Sequence, residues 1–125
     1  MTSPIITINI PGHVVPKARP RVTKKGTYMP AKYQQTIEKI RLMATACLGQ
    51  VSNRCDYPIA DKVRLEVLFI RKGGGDIDNL CGSAMDGIQG IILKNDSQVK
   101  EIEAQIIPVT EGYKEQTEIK VYRKE

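Results

Sequence analysis

Apolar and polar residues alternate in four short stretches of the chain, which is the two-residue period of a β-strand with one buried face. These stretches are residues 5–10, 63–70, 99–109 and 117–122. The second stretch becomes fully apolar towards its end, which favours a central position in a sheet. Only a short turn at Glu111 and Gly112 separates the last two stretches, so we predict that they pair as an antiparallel hairpin.

Two other segments repeat apolar residues every three to four positions, which is typical of an amphipathic helix. The first, residues 31–48, contains neither glycine nor proline and is followed by Gly49, a common helix stop. The second is predicted to begin with Asp78 as its N-cap. Its end is left open because glycines interrupt it. Its apolar positions are Leu80, Ala84 and Ile88.

The resulting element order, β-α-β-α-β-β, predicts an α+β (mixed α/β) fold with an approximately four-stranded mixed sheet and two main helices. At 125 residues the chain is long enough for one domain, which we expect to span residues 1–125. Its 41% hydrophobic and 26% charged residues are those of an ordinary globular protein rather than a disordered one. Residues 13–30 contain three prolines and indicate an extended loop or an irregular hairpin.

The net charge of +5 is unevenly distributed, with no acidic residue in the first 37 positions. We name residues 17–32 the basic segment. It contains six basic residues: Lys17, Arg19, Arg21, Lys24, Lys25 and Lys32. Such a segment is either a solvated surface that aids solubility or a binding strip for nucleic-acid phosphates, because Lys and Arg contacts release counterions from the backbone.

The cysteines and the hydropathy pattern bear on the cellular compartment. Three cysteines without a CxxC pair argue against a disulfide framework and a zinc site, and favour a reducing cytoplasm. No apolar run approaches the roughly 20 residues needed to cross a bilayer, and no signal peptide is recognised at the start. Since His13 is the single histidine, a histidine-centred site is also disfavoured. We therefore expect a cytoplasmic protein without membrane contact.

Four of the six aspartates lie between Asp76 and Asp96. If the chain is extended at Asp76, the carboxylate of Asp78 points to the same side. Two carboxylates this close repel each other unless a divalent cation lies between them. Mg²⁺ suits the position because it binds one or two carboxylates, keeps waters and phosphate oxygens as further ligands, and promotes phosphodiester cleavage. Asp96 is the expected third ligand, because the chain reverses direction after the helix and would return Asp96 to the other two aspartates.

The same aspartates also allow a structural interpretation, in which Asp78 caps its helix and Asp76 supports the turn. A calcium-binding EF-hand is excluded, because Leu80 and Cys81 occupy the positions where its loop needs Asp or Asn and then Gly. Asp86 lies two helical turns after Asp78 on the same face. It either supports the metal site through a water or a ligand, or bonds a neighbouring backbone group.

Two separate motifs resemble the RusA family of Holliday junction resolvases. The first is GDIDNL at residues 75–80, followed by MDGIQGIILKNDSQV at residues 85–99. The second is PGHVVPKARPRV at residues 11–22, with Tyr33 near the start of the next helix. The resemblance covers most of the chain in the right order. It implies a homodimeric, Mg²⁺-dependent endonuclease, bacterial or phage-encoded, that makes paired nicks across four-way DNA junctions in recombination and repair.

The resemblance also implies roles for particular residues. Asp76, Asp78 and Asp96 would be the catalytic, Mg²⁺-binding acids, with Mn²⁺ able to substitute and no small-molecule cofactor. Lys17, Arg19 and Arg21 would contact DNA beside these acids. Asn79 and Asp86 are further candidates for supporting this site, which the resemblance itself does not assign. Apart from the resemblance, the distribution of positive charge adds further expected DNA-binding residues: Lys24, Lys25, Lys32 and Lys94.

One position departs from the family pattern. Members usually carry a lysine four residues after the second aspartate, and this chain has Gly82 there. Our hypothesis is that Lys94 or Lys100 supplies the missing charge to the attacked phosphate. The alternatives are a junction-binding protein with weakened or lost catalysis, for which Gly82 is the support, and a basic interaction domain whose aspartates only cap and turn.

Overall fold

The computed structural model describes residues 3–17, 21–24, 26–28 and 30–124, with residues 21–23, 27 and 28 described by their backbone alone. The strands in these ranges are β1 (Ile6–Pro11), β2 (Arg21–Thr23), β3 (Gly26–Tyr28), β4 (Val63–Arg71), β5 (Val99–Pro108) and β6 (Gln116–Arg123). The helices are α1 (Ala31–Leu48) and α2 (Ile77–Ile88), with short 3₁₀ turns at Arg54–Asp56 and Asp96–Gln98.

The main sheet has the strand order β1-β6-β4-β5. Strand β4 runs parallel to β5 and antiparallel to β6, and β6 runs antiparallel to β1. This four-stranded mixed sheet with two main helices confirms the predicted α+β class and the order β-α-β-α-β-β within the described ranges. Strands β2 and β3 form a separate small antiparallel hairpin in the basic segment, one of the two conformations expected for residues 13–30.

The predicted hairpin of the last two strands is wrong, because β4 lies between β5 and β6. The physical reason is the burial that each strand can achieve. Strand β6 places Thr117, Ile119 and Val121 in the core, which suits an inner position. Strand β5 leaves most of its side chains exposed and forms the edge beside β4. The connection through Glu111 and Gly112 therefore passes over one strand instead of making a tight turn.

The two helices pack on one face of the sheet and contact each other closely at Gly87. A Cβ atom built on this glycine would lie only 2.3 Å from Cγ2 of Ile40, which is fully buried on α1. A side chain at position 87 would therefore force the helices apart. Among the described helices, none is long and apolar enough to cross a membrane.

The three cysteines are free thiols in different environments: Cys55 is exposed, Cys47 is half-buried and Cys81 is buried. Burial raises the pKa of the Cys47 thiol and of the Cys81 thiol, which reduces the reactive thiolate at neutral pH. We expect maleimide to label Cys55 first, with labelling of the other two accelerating only as the pH rises. Mass spectrometry of digested, time-sampled reactions checks the order. A Cys55→Ser variant retains only Cys47 and Cys81, so fast labelling of this variant at neutral pH would contradict the predicted order.

Candidate active site and nucleic-acid interface

Asp76 and Asp78 lie at the start of α2. Asp76 occupies the N-cap with an extended backbone (φ −81°, ψ 125°), and Asp78 lies in the first turn. The prediction that Asp78 is the N-cap is therefore wrong by two residues. Gly75 adopts a φ of +118°, a conformation that glycine tolerates and that lets the chain enter the helix directly after residue 76. Consequently the two carboxylates do not extend from one continuous strand.

Asn79 connects these two aspartates. Its side-chain amide donates to Oδ2 of Asp76 at 3.3 Å, and its backbone N–H donates to Oδ1 of Asp78 at 2.9 Å. Both aspartates are exposed, and within the described part of the chain Asp76 makes no side-chain cap hydrogen bond. Free amides at a helix start favour negative charge. This pair of carboxylates is therefore accessible to a cation and is held by a neighbouring amide.

Asp96 begins the 3₁₀ turn that precedes β5, and its side chain is exposed. The turn is tightly defined, because Oδ1 of Asn95 accepts from the N–H of Ser97 at 2.9 Å and Oε1 of Gln98 accepts from the N–H of Asn95 at 2.8 Å. The side-chain amide of Gln98 also donates to two backbone carbonyls in residues 59–61. These bonds fix the backbone that carries Asp96.

The three predicted metal ligands are not brought together within one chain. Asp76, Asp78 and Asp96 all belong to the described residues, and among these no group of three or more His, Cys, Asp or Glu side chains is placed to hold a metal ion. The structure connects the first two through Asn79 and places the third on a separate turn. The predicted roles of the three aspartates stay predictions.

Lys17 lies along α2 and covers Gly82. Its backbone N–H donates to the carbonyl of Asn79 at 2.9 Å, and its Nζ lies 3.2 Å from Oδ2 of Asp86. A Cβ built on Gly82 would lie 2.9 Å from Cδ and 3.2 Å from Cβ of Lys17. The absence of a side chain at position 82 is therefore what allows Lys17 to cross this face of the helix.

Asp86 also accepts a hydrogen bond from the hydroxyl of Tyr33, a buried residue of α1. Burial raises the pKa of Tyr33, and its hydrogen bond to Asp86 raises it further. The described contacts of Asp86 are thus with two side chains, those of Lys17 and Tyr33, rather than with a backbone group. Asp86 links the basic segment to both helices, and support of a metal site stays a prediction.

The start of the basic segment is also held through the backbone of Val15. Its carbonyl accepts from the hydroxyl of Ser83 at 2.7 Å, and its N–H donates to Oγ1 of Thr36 at 3.1 Å. These bonds attach the chain just before Lys17 to both helices. The predicted DNA-binding lysines Lys24, Lys32 and Lys94 are exposed, the side chain of Arg21 is not described, and Arg19 and Lys25 lie outside the described residues.

A groove of about 550 Å³ separates α2 from β5, and nothing in the sequence pattern predicted it. Asp78 and Lys100 line this groove together with exposed apolar side chains. Ile77 is 42% exposed and Ile102 is 39% exposed. The signal available in the sequence was the row of Ile77, Cys81 and Met85, spaced four residues apart on one face of α2 beside Asp78. The groove places apolar surface directly beside a predicted metal ligand.

Comparison with known families defines the class of protein. A family model described as endodeoxyribonuclease RusA matches residues 11–122, almost the whole chain and both motifs. The chain is therefore classed as an endodeoxyribonuclease. It belongs to the RusA family of Holliday junction resolvases, which confirms the predicted membership. A search of the curated proteins found no match.

Proposed function

We propose that this protein is a Mg²⁺-dependent resolvase that cuts four-way DNA junctions by paired nicks, acts as a homodimer, and serves recombination and repair. Family membership supports the reaction class. The observation that carries the metal dependence is the exposed pair Asp76 and Asp78 at the start of α2, held by Asn79. Carboxylates of this kind fit Mg²⁺, and Mn²⁺ should substitute.

The residues of this chain would act on the phosphodiester in distinct ways. Asp76 and Asp78 would hold the cation, which when bound supplies an activated water and stabilises the leaving oxygen. Asn79 would keep both carboxylates oriented through its two hydrogen bonds. The basic segment would hold the DNA backbone by phosphate contacts that carry no sequence information.

We propose that Asp96 joins the other two acids from a second copy of the chain. This accounts for the observation that the described residues of one chain include no group of three acids placed to hold a metal ion. The groove between α2 and β5 supports the idea, because its exposed Ile77 and Ile102 are apolar surface that a partner would bury. A two-fold dimer built this way has two equivalent sites, which suits paired nicks in a junction of approximate two-fold symmetry.

We propose that Lys17 supplies the positive charge that Gly82 lacks. It lies on the same helix face as the absent lysine side chain and fills its space. This differs from our hypothesis of Lys94 or Lys100, of which Lys100 shares the groove with Asp78. In the structure the Nζ of Lys17 is paired with Asp86, two helical turns beyond Asp78, so it would have to leave that carboxylate to reach a phosphate.

The Lys17→Met variant is expected to slow cutting of a saturated junction about tenfold or more, because the charge proposed to act on the attacked phosphate is lost. Single-turnover rates at saturating protein measure this effect separately from binding. Lys24→Met is the matched control from the same basic segment and should change binding more than the saturated rate. An unchanged cutting rate for Lys17→Met, together with a reduced cutting rate for Lys100→Met, would instead support the hypothesis that Lys100 supplies the charge.

The proposed function is tested with a synthetic four-way junction, incubated with the protein in Mg²⁺ or in EDTA. We expect symmetric paired nicks in Mg²⁺, none in EDTA, and a retained gel shift in both. A gel shift without nicks would establish the junction-binding alternative. No junction preference and no salt dependence would leave only a basic interaction domain.

A further inference from the structure

Arg71, the last residue of β4, is a buried cation on the core-facing side of its strand. It follows Phe69 in the alternating burial pattern and is 8% exposed. Within the described part of the chain it is the one charged side chain that is buried. Buried charges are normally paired with an opposite charge, because removal from water is costly.

The guanidinium of Arg71 is incompletely satisfied. Its Nη1 donates to the carbonyl of Val14 at 2.8 Å, whereas its Nε is buried without a hydrogen-bond partner. Among the side chains that the structure describes, no carboxylate lies within ion-pair distance of it. One neutral carbonyl leaves the positive charge without a counter-ion among the described side chains, and Nε without an acceptor.

The space next to this guanidinium is bounded by a glycine loop. A Cβ built on Gly75 would lie 3.8 Å from Cζ of Arg71 and 3.6 Å from the side chains of Leu80 and Pro16, so the loop passes the guanidinium at ordinary contact distance. A Cβ on Gly73 or Gly74 would meet nothing within 4 Å. The loop leads directly into Asp76 and the amides of the first turn of α2. A partly satisfied arginine, an open backbone and a helix start all favour a bound oxyanion.

We propose that Arg71, the glycine loop at residues 73–75 and the first turn of α2 form a binding pocket for a DNA backbone phosphate adjacent to the one that is cut. This inference rests on the proposed function, since it assigns a substrate contact to the same site. The planar guanidinium can bind a phosphate through two oxygens, which would fix the strand relative to Asp76 and Asp78.

The test is the salt dependence of junction binding in EDTA, where cutting does not interfere. For Arg71→Met we expect the slope of log Kobs against log salt to fall by about 1, because one phosphate contact is lost. Arg71→Lys should keep the slope and lose affinity, since a point charge replaces a two-pronged contact. Urea unfolding establishes the folded fraction of each variant.

A second variant keeps the proposal testable if Arg71→Met does not fold. Gly74→Asp introduces a negative charge into open space beside the loop and should weaken junction binding at least tenfold. The control is Gln50→Glu, which makes the same charge change at an exposed position after α1 and should have little effect.

Three results would overturn the proposal. One is an unchanged slope in folded Arg71→Met, which would make Arg71 only a structural link to Val14. Another is equal effects of Gly74→Asp and Gln50→Glu, and the third is a wild type without salt-dependent DNA binding. A wild type that binds junctions but never cuts them would contradict the proposed function alone.

Discussion

Asp76→Asn is expected to reduce junction cutting by at least about 100-fold while leaving junction binding intact. The substitution preserves size and keeps an oxygen that can accept from Asn79, but it removes the charge that would bind Mg²⁺. Loss of a group that merely supports a metal ligand typically costs 10- to 100-fold, so loss of a ligand should cost about 100-fold or more. Single-turnover cleavage and gel shifts on the same preparation measure the two effects.

The matched control is Asp56→Asn, an exposed aspartate on the 3₁₀ turn after α1. It makes the same chemical change outside the proposed site, and its cutting rate should equal that of the wild type. Asp78→Asn should behave like Asp76→Asn. Wild-type cutting by either site variant would remove that aspartate from the proposed metal site.

Gly87→Ala is expected to lower the free energy of unfolding by about 1–3 kcal/mol. In an open helix this change would stabilise the protein by up to about 1 kcal/mol, because alanine has the higher helix propensity. Here the added methyl would lie 2.3 Å from Cγ2 and 2.5 Å from Cβ of Ile40, far inside van der Waals contact. The steric clash with Ile40 therefore outweighs the gain in helix propensity, and the free energy of unfolding falls. Urea denaturation with a fitted midpoint measures the change.

Gly74→Ala serves as the control, because a Cβ there would meet nothing within 4 Å and its backbone does not require glycine. Its stability should be unchanged or slightly increased. An increase in the stability of Gly87→Ala would show that α1 and α2 do not approach each other as closely as the structure places them.

Local patterns were sufficient to predict the elements of this fold. Helix α1 begins and ends at the predicted residues, and β4 differs from its predicted range by one residue, because periodicity and helix stops are encoded within each segment. The pairing of β5 and β6 was predicted wrongly because it depends on which strands take the inner positions of the sheet, with a neighbouring strand on each edge. That property follows from contacts with β1 and β4, which are distant in sequence.

The candidate site shows the same division between local and distant information. The acidic motif at Asp76 and the turn at Asp96 were recognisable from sequence, since each is a short string with its own capping chemistry. The position of Lys17 over Gly82 was not, because the two residues are 65 positions apart and meet only in the fold. Arg71 was missed for a related reason, since its burial beside Val14 depends on how the first loop packs.

The central claim is that acids from two copies of the chain together hold one cation. Its most direct test is to mix two inactive variants, Asp76→Asn and Asp96→Asn, under conditions in which subunits exchange. If Asp96 serves the partner's Asp76 and Asp78, each mixed dimer keeps one intact site and nicks the junction on one strand. A mixture of Asp76→Asn and Asp78→Asn is the control and should stay inactive, because both of its sites are damaged. Mixed dimers of the first pair that form but do not nick would contradict the claim.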